Sequence, residues 1–426
     1  MEGKRIYYGW WIVAACLVGL IVAGGSGFYC FGVFFPRLMR EFHWSRAATA
    51  AAISVYWIAS GLTSPFIGRL VDRYGPKGVM VSGTLMTGFS LVMLSATNSL
   101  TYLYAFYGLL SVSHVATILV PYGFLISRWF RSKRGKAIGI ATSGISFGGI
   151  ILVPFTELLI HRFGWRISYL ILGVLVVAIL LPVILFVIKG SPEEAGYLPD
   201  DLSADYCPAE QGPAVQHPGS IGSSPIRPWA LSQIVLTWPF WLMSLSLFST
   251  YAVMFGVLTH QIPFILDMGI PSTTAAFAFG LTALMGIVGK LAIGFIADRH
   301  SVKGAAVFTL GLQLIAVLIL SVTSTMSLLW VYVVLFGLSM GGATLRPLIP
   351  TWLFGLSSLG LLQGVTQMAT SAGSAVGPYF AGYIFDLFGS YQCALLVFAI
   401  ICGLGLAAIA VARPPLPRFY HARQPV

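Results

Sequence analysis

Residues 279–304, FGLTALMGIVGKLAIGFIADRHSVKG, decide how this chain is read. An apolar run of helical length carries one lysine, Lys290, near its middle and ends in a short basic loop, Gly294 to Lys303. In a membrane-spanning helix that ammonium would lie far from water. The cost is roughly 3 kcal/mol on insertion scales, so such a charge needs a partner or a task. The loop is also a second copy. GRLVDRYGPK (68–77) returns as GFIADRHSVK (294–303), and Gly68, Asp72, Arg73 and Lys77 match Gly294, Asp298, Arg299 and Lys303. Pro121 returns as Pro347 at the same offset, and ATS (141–143) returns as ATS (369–371) two residues late. A duplicated helical unit with matching loops marks a membrane carrier with two pseudo-symmetric halves. Such carriers bind their cargo near the bilayer midplane, between the halves.

Composition agrees with a membrane setting. The chain has 426 residues, 57% hydrophobic and 9% charged, with a mean hydropathy of +0.88. A soluble domain carries about 25% charged residues, so this chain cannot cover itself with a polar surface. The excess of 24 Lys and Arg over 13 Asp and Glu does not indicate nucleic acid. The positive residues sit in short loops between apolar spans, which is a topology signal. Five cysteines lie without metal-ligand spacing, and Cys16, Cys30, Cys393 and Cys402 fall within spans as packing residues. A polytopic, all-α membrane protein is expected.

A span needs about 20 apolar residues. That rule places helices near 9–35, 47–69, 78–97, 101–126, 135–160 and 165–188, then near 238–266, 273–297, 304–323, 327–350, 361–385 and 390–412. Tyr8 to Phe35 is too long for a signal-peptide core and is expected to be the first span. The segments lack period-2 alternation, which argues against a barrel. The expected organisation is an N-terminal six-helix bundle (1–188), a polar linker (189–237), and a C-terminal six-helix bundle with a short tail (238–426). With the N-terminus inside, most Lys and Arg fall on the inner side. Only Arg37, Arg40, Arg46, Arg162 and Arg166 fall outside, and Lys290 and Arg346 lie within spans. Both termini are therefore expected in the cytoplasm.

The loop GRLVDRYGPK resembles the loop between helices 2 and 3 of the major facilitator superfamily, and GFIADRHSVK resembles its weaker copy between helices 8 and 9. WFRSKRGKAIGIATSGISFGG (129–149) is similar to the helix 5 signature of monocarboxylate transporters and the related oxalate/formate group. Tyr8-Gly9-Trp10-Trp11 resembles that family's start of helix 1, and SPEEAGYLPDD (191–201) resembles its bacterial linkers. The resemblance implies twelve helices in the superfamily fold and a small organic anion as substrate. It also implies coupling to a proton, with exchange of organic anions of the oxalate/formate kind and efflux of a hydrophobic compound as alternatives, and a multi-pass protein of the plasma membrane. The sequence carries no P-loop, metal cluster or nucleophile arrangement, so neither a cofactor nor catalysis is expected. A monomer is expected.

The same resemblance assigns candidate residues. Helix 8 of the family carries a basic residue, usually Arg, that binds the substrate carboxylate, and Lys290 stands at that place. The acid that monocarboxylate members often carry four residues earlier is Gly286 here. Helix 11 lacks a second basic residue over Gln367 to Ser371, which favours a single carboxylate. Lys290 is either this anchor or half of a structural pair with a distant acid such as Glu157. Lys differs from Arg in being a point charge that can lose its proton when buried. Lys290, His260, His114 and Glu157 are therefore the candidates to carry the proton.

Arg346 reads either as a second anion contact or inner-gate charge, or as a snorkelling residue that bonds carbonyls freed by Pro347 and Pro350. His260 on helix 7 and His114 on helix 4 are either cavity residues or packing groups with satisfied nitrogens. Tyr29, Tyr122, Tyr332 and Phe336 are either packing aromatics or walls of a small cavity, with Phe336 the match to an aromatic that limits substrate size. Glu157 is expected to pair with Arg162 near the outer surface. Arg69, Asp72, Arg73, Lys77, Asp298 and Arg299 are expected to latch helix ends across the halves, carboxylate to arginine, without touching substrate.

Overall fold

The computed structural model describes residues 7–44, 46–197, 231–323, 325–355 and 359–415. Most of the expected linker, with Cys207 and its acidic residues from Asp200 to Glu210, lies outside the described residues. Among the described residues all regular structure is helical. Continuous apolar runs leave no other solution in lipid, because a helix satisfies its own backbone groups within the segment.

The chain forms a series of rods. The first, α1, runs Gly9–Gly24, passes through a π-helical turn at Gly25–Tyr29, and continues as Phe31–Phe42. Then come α2 (Arg46–Tyr74) and α3 (Pro76–Leu94). Rod α4 is again broken: Leu100–His114, a π-helical turn at Val115–Leu119, then Pro121–Trp129. The helix Arg134–Val187 is 54 residues long but breaks at Gly164, with φ 79° and ψ 164°. Only glycine takes that backbone cheaply, so the segment is two rods, α5 before Gly164 and α6 after it.

The second part of the chain holds α7 (Trp238–Asp267), α8 (Ser272–Arg299) and α9 (Val302–Ser321). Rod α10 runs Met326–Ser339, a 3-10 turn at Met340–Thr344, then Leu345–Phe354. Rods α11 (Leu359–Phe388) and α12 (Gln392–Val411) complete the fold. Among the described residues ten helices, counting Arg134–Val187 as one, are long and apolar enough to cross a membrane. α11 is not among them, because its sequence is rich in Gly, Ser, Thr and Gln. The expected helices overlap these rods, with α1, α2, α4 and α10 running several residues further than apolarity alone suggested.

Large apolar side chains face outward along the rods, among them Leu62, Phe66, Phe186, Trp241, Phe295 and Ile400. A soluble protein would hide this surface. Inside, α1 packs on α5, α11 on α7, and two further pairs join the early and late parts of the chain: α2 with α11, and α5 with α8. Small residues allow the close approaches. A Cβ placed on Gly148 would lie 2.4 Å from the Ile21 carbonyl oxygen.

Two of the three broken rods, α4 and α10, share a cause. Pro121 and Pro347 are the repeated prolines, and each stands just beyond an irregular turn. Proline offers no N–H to the preceding turn, so the ladder is interrupted there. The three irregular turns of α1, α4 and α10 border one central space.

Candidate functional site

A cavity of about 110 Å³ opens where the broken rods meet. A water needs only about 10–15 Å³ by the same measure, so the space holds several waters or one small organic molecule. Its walls are Leu20, Gly24, Tyr29, Tyr56, Trp57, Leu119, Tyr122 and Ile145 from the early rods. From the late rods come Tyr251, Met254, Phe255, Leu258, Lys290, Met340, Ala343, Arg346 and Gln367. A second space of about 230 Å³ adjoins it towards the α1–α2 connection. Tyr29, Phe255 and Leu258 line both. The walls are aromatic and aliphatic, two cations face the cavity, and none of the lining residues is an acid.

Lys290 sits near the middle of α8 and is only 3% exposed. Its Nζ donates to Ser146 Oγ of α5 at 2.7 Å. Among the described residues no carboxylate pairs with it, so the expected alternative of an ion pair with Glu157 is not realised. The carbonyl of Lys290 accepts from Thr344 Oγ1 at 3.2 Å, which ties α8 to the 3-10 turn of α10. Arg346, one residue into the last piece of α10, is equally buried at 3% exposed. Its Nη2 donates to the carbonyl of Leu119, the last residue of the π-helical turn in α4. Its guanidinium carbon stands 5.0 Å from the Tyr122 ring centre, in cation–π range. Among the described residues its Nη1 has no hydrogen-bond acceptor.

Below the cavity the rods close at the end where the chain begins. Asp72, on the last turn of α2, accepts from the N–H groups of Gly360 and Leu361, both at 2.8 Å. These are the first residues of α11. Asp298, on the last turn of α8, accepts from the N–H groups of Gly135 and Lys136 at 2.5 and 2.7 Å. These are the first residues of α5. Each repeated carboxylate therefore caps a helix N-terminus across the molecule, where orphan donors and the helix dipole favour an anion.

The approach is tight: a Cβ on Gly68 would lie 2.1 Å from the Gly360 oxygen, and one on Gly294 would lie 2.3 Å from the Gly135 oxygen. The carboxylates thus meet backbone donors at these helix starts. Arg128 adds its charge near Asp72. Lys77 instead donates to the Leu185 carbonyl at 2.7 Å, and Arg73 and Arg299 lie over the rings of Tyr74 and Phe295. Arg69 forms no part of these caps.

The other candidates separate by position. Tyr29 and Tyr122 line the cavity. His114 lies behind its wall, fully buried, with Nδ1 3.0 Å from the hydroxyl of Tyr56, which does line it. Its Nε2 has no partner among the described residues. His260 does not line the cavity. Its ring nitrogens sit 3.1 Å from Tyr391 Oη and 3.0 Å from the Pro378 carbonyl, so it links α7 to α11 and to the start of α12. Tyr332 and Phe336 are also absent from the walls. They stack on each other at 5.5 Å and are fully buried elsewhere in α10's packing. Both precede the 3-10 turn, which carries Met340 and Ala343 to the cavity instead.

Glu157 pairs with Arg37 of α1, where Arg162 was expected, and both are partly exposed. The remaining wall residues, Tyr56, Trp57, Tyr251, Met254, Phe255 and Gln367, were not singled out from sequence. Nor was Ser146, although it lies within the helix 5 signature. Among the described residues no group of His, Cys, Asp or Glu is arranged to hold a metal.

Apolar-faced rods around a central, cation-bearing cavity, latched at one end, define a membrane transporter. The Major Facilitator Superfamily model matches residues 15–357, and the chain belongs to that family. It is 27% identical to human monocarboxylate transporter 12, over 94% of this chain and 78% of that one. It is 25% identical to rat monocarboxylate transporter 13, over 97% and 90% of the two chains. The fold is that of FucP, a Major Facilitator Superfamily transporter solved in its outward conformation, with a TM-score of 0.70 at 13% identity over 95% of this chain and 99% of that one.

Proposed function

We propose that this chain is a secondary transporter of small organic anions and that Lys290 is the anchor for the substrate carboxylate. The observation that carries this reading is a buried ammonium on a cavity wall, held among the described residues by a hydroxyl alone, in a space whose lining carries no acid. An incoming carboxylate supplies the missing counter-charge. The names of the curated relatives favour a monocarboxylate; our reading is one of the lactate or pyruvate kind, moved together with a proton.

In this reading twelve helices cross the plasma membrane as two bundles, 1–188 and 238–426, joined by a cytoplasmic linker over 189–237. Both termini are cytoplasmic, and one chain acts alone. The aspartate caps close the cytoplasmic side while the aromatic vestibule leads outward. Rocking of the halves then breaks the caps and opens the other side. Of the proton candidates, Lys290 touches the cavity and His114 reaches it through Tyr56, whereas Glu157 and His260 stand away from it.

The second reading is exchange of one organic anion for another. It is favoured by Arg346, a second cation in the same cavity, and by Gly286 in the place of the family's acid. Uptake of radiolabelled pyruvate and lactate into proteoliposomes, with and without an imposed pH gradient, separates the two. Accumulation that follows the proton gradient is the expected outcome. Counterflow indifferent to pH supports exchange, and saturable uptake confined to cations overturns both.

A further inference from the structure

We infer that residues 189–197, which follow α6, are a strap that holds the start of α5 in place for the Asp298 cap, with Tyr197 as its positioning residue. This rests on the reading above in which the aspartate caps open and close during transport. It adds a control that acts on one cap alone.

Three motifs singled out in the sequence meet at this end of the molecule. Tyr8-Gly9-Trp10-Trp11 opens α1, Trp129 and Phe130 close α4, and SPEEAGY (191–197) follows α6. The strap turns back on itself. The N–H of Gly196 donates to the Glu193 carbonyl at 3.1 Å, and that of Tyr197 to the Pro192 carbonyl at 2.9 Å. Gly196 sits at φ 74°, where a β-branched residue is strained. This turn stacks the Tyr197 ring on Tyr8 at 5.6 Å and sets it 6.3 Å from Tyr7 and 6.2 Å from Trp129. Trp129 is fully buried at the centre. Its Nε1 donates to the Lys189 carbonyl at 3.2 Å, and its own carbonyl accepts from Tyr7 Oη at 2.8 Å. Tyr8 Oη donates to the Val187 carbonyl at 3.0 Å, and Lys189 Nζ lies 4.6 Å from the Tyr8 ring centre, in cation–π range.

From Trp129 to the cap is a short step. Residues 130–133 join α4 to α5, and Arg134 ties this connector down. Its Nε donates to the Phe130 carbonyl at 3.0 Å and its Nη2 to the Ser127 carbonyl at 3.1 Å. The next two N–H groups, those of Gly135 and Lys136, are the ones that Asp298 caps. Lys136 also places its Nζ 5.7 Å from the Trp10 ring centre, and Phe130 meets Trp10 edge-on at 5.0 Å. Hydrogen bonds weaken steeply as their angle opens, so a displacement of Trp129 is felt at the cap. The later half has no counterpart to this tryptophan. At the offset that pairs Pro121 with Pro347, Trp129 corresponds to Gly355. The strap therefore serves the Asp298 cap and leaves the Asp72 cap alone.

The test reads the closed state by labelling a cysteine at Thr142 with a water-soluble maleimide, in the full-length chain with its native cysteines replaced. An aromatic contact of this kind shifts an equilibrium by about two- to tenfold. Tyr197→Ala should therefore label about threefold faster or more, and Tyr197→Phe, which keeps the ring, should label as the parent does. Gly196→Val should also speed labelling, because it disturbs the turn and spares the ring. Dependence on the caps separates positioning from bulk stability. Added to Asp298→Asn, Tyr197→Ala should have no further effect, whereas added to Asp72→Asn it should keep its full effect. A merely structural role would lower the melting temperature and speed labelling equally in both backgrounds.

Labelling unchanged by Tyr197→Ala overturns the inference, and so does an effect that survives Asp298→Asn in full. Tyr197 is 41% exposed, so replacing it leaves the buried core intact. Failure of the wider reading of the caps looks different: neither Asp72→Asn nor Asp298→Asn then changes labelling, and the strap falls with them.

Discussion

Lys290 and Arg346 show how much a single residue in a helix discloses. Lys290 was legible because a charge in an apolar span is costly and rare, and its place before a repeated Gly-x-x-x-Asp loop positioned it. Its partner was not legible, because Ser146 lies far away in sequence and a serine in a small-residue run signals only packing. Glu157 makes the opposite point. A carboxylate late in a span suggested a proton carrier, but it meets Arg37 in an exposed pair. Surface pairs contribute about 0–1 kcal/mol. Glu157→Gln is therefore expected to leave transport and its pH profile within about twofold of wild type, measured as initial uptake at several pH values. Loss of proton dependence in that variant would return Glu157 to the mechanism. The histidines divide in the same way: helical position alone could not tell that His260 has partners on both ring nitrogens, whereas His114 has one left over.

At the scale of the element, the rods were readable from apolar length, but their breaks were not. Gly164 and the repeated prolines are visible in sequence. Which side chains the resulting turns deliver to the cavity depends on local winding, and this is why Tyr332 and Phe336 were misplaced by a turn or two from Met340 and Ala343. The end of α1 offers a test outside the membrane-spanning part. Glu41 accepts from Trp165 Nε1 at 2.5 Å and from Arg166. Partial burial raises its carboxyl pKa, but the hydrogen bonds from Arg166 and Trp165 outweigh that and hold it below the ordinary 4.5. A depressed carboxyl stabilises the fold above its ordinary value, and this contribution disappears as pH falls through the lowered one. Glu41→Gln should thus melt below wild type at neutral pH, with the gap closing as pH drops below about 4.5. A gap that stays constant across that range would contradict the assignment.

The whole molecule was foreshadowed by its duplication. GRLVDRYGPK and GFIADRHSVK predicted two matching halves and a latch, and their two aspartates stand in the structure as helix caps related by the same repeat. The chemistry of the latch was less legible. The basic residues beside each aspartate suggested ion pairs; the N–H groups of helices far along the chain that donate to both carboxylates were not legible. Two such caps stabilise the conformation closed at this end. Asp72→Asn or Asp298→Asn removes charge-assisted bonds worth about 1.5–3 kcal/mol each. Either variant should label a cysteine placed at Thr142, which meets Thr344 beneath the cavity at 3.3 Å, about tenfold faster with a water-soluble maleimide. The assay needs a chain whose native cysteines are replaced. Unchanged labelling would mean that the caps do not set the conformational balance.

The account stands or falls on Lys290 as the seat of an organic anion. The direct measurement is saturable uptake of radiolabelled pyruvate and succinate by proteoliposomes holding wild type, Lys290→Arg or Lys290→Ala, with folding matched by monodispersity and melting temperature. Truncating one member of a buried, hydrogen-bonded charge pair costs about 2–5 kcal/mol. Lys290→Ala should therefore lose apparent affinity by roughly thirtyfold or more for whichever anion the wild type carries, and Lys290→Arg should retain a measurable part. Wild-type uptake by a well-folded Lys290→Ala protein would contradict the account.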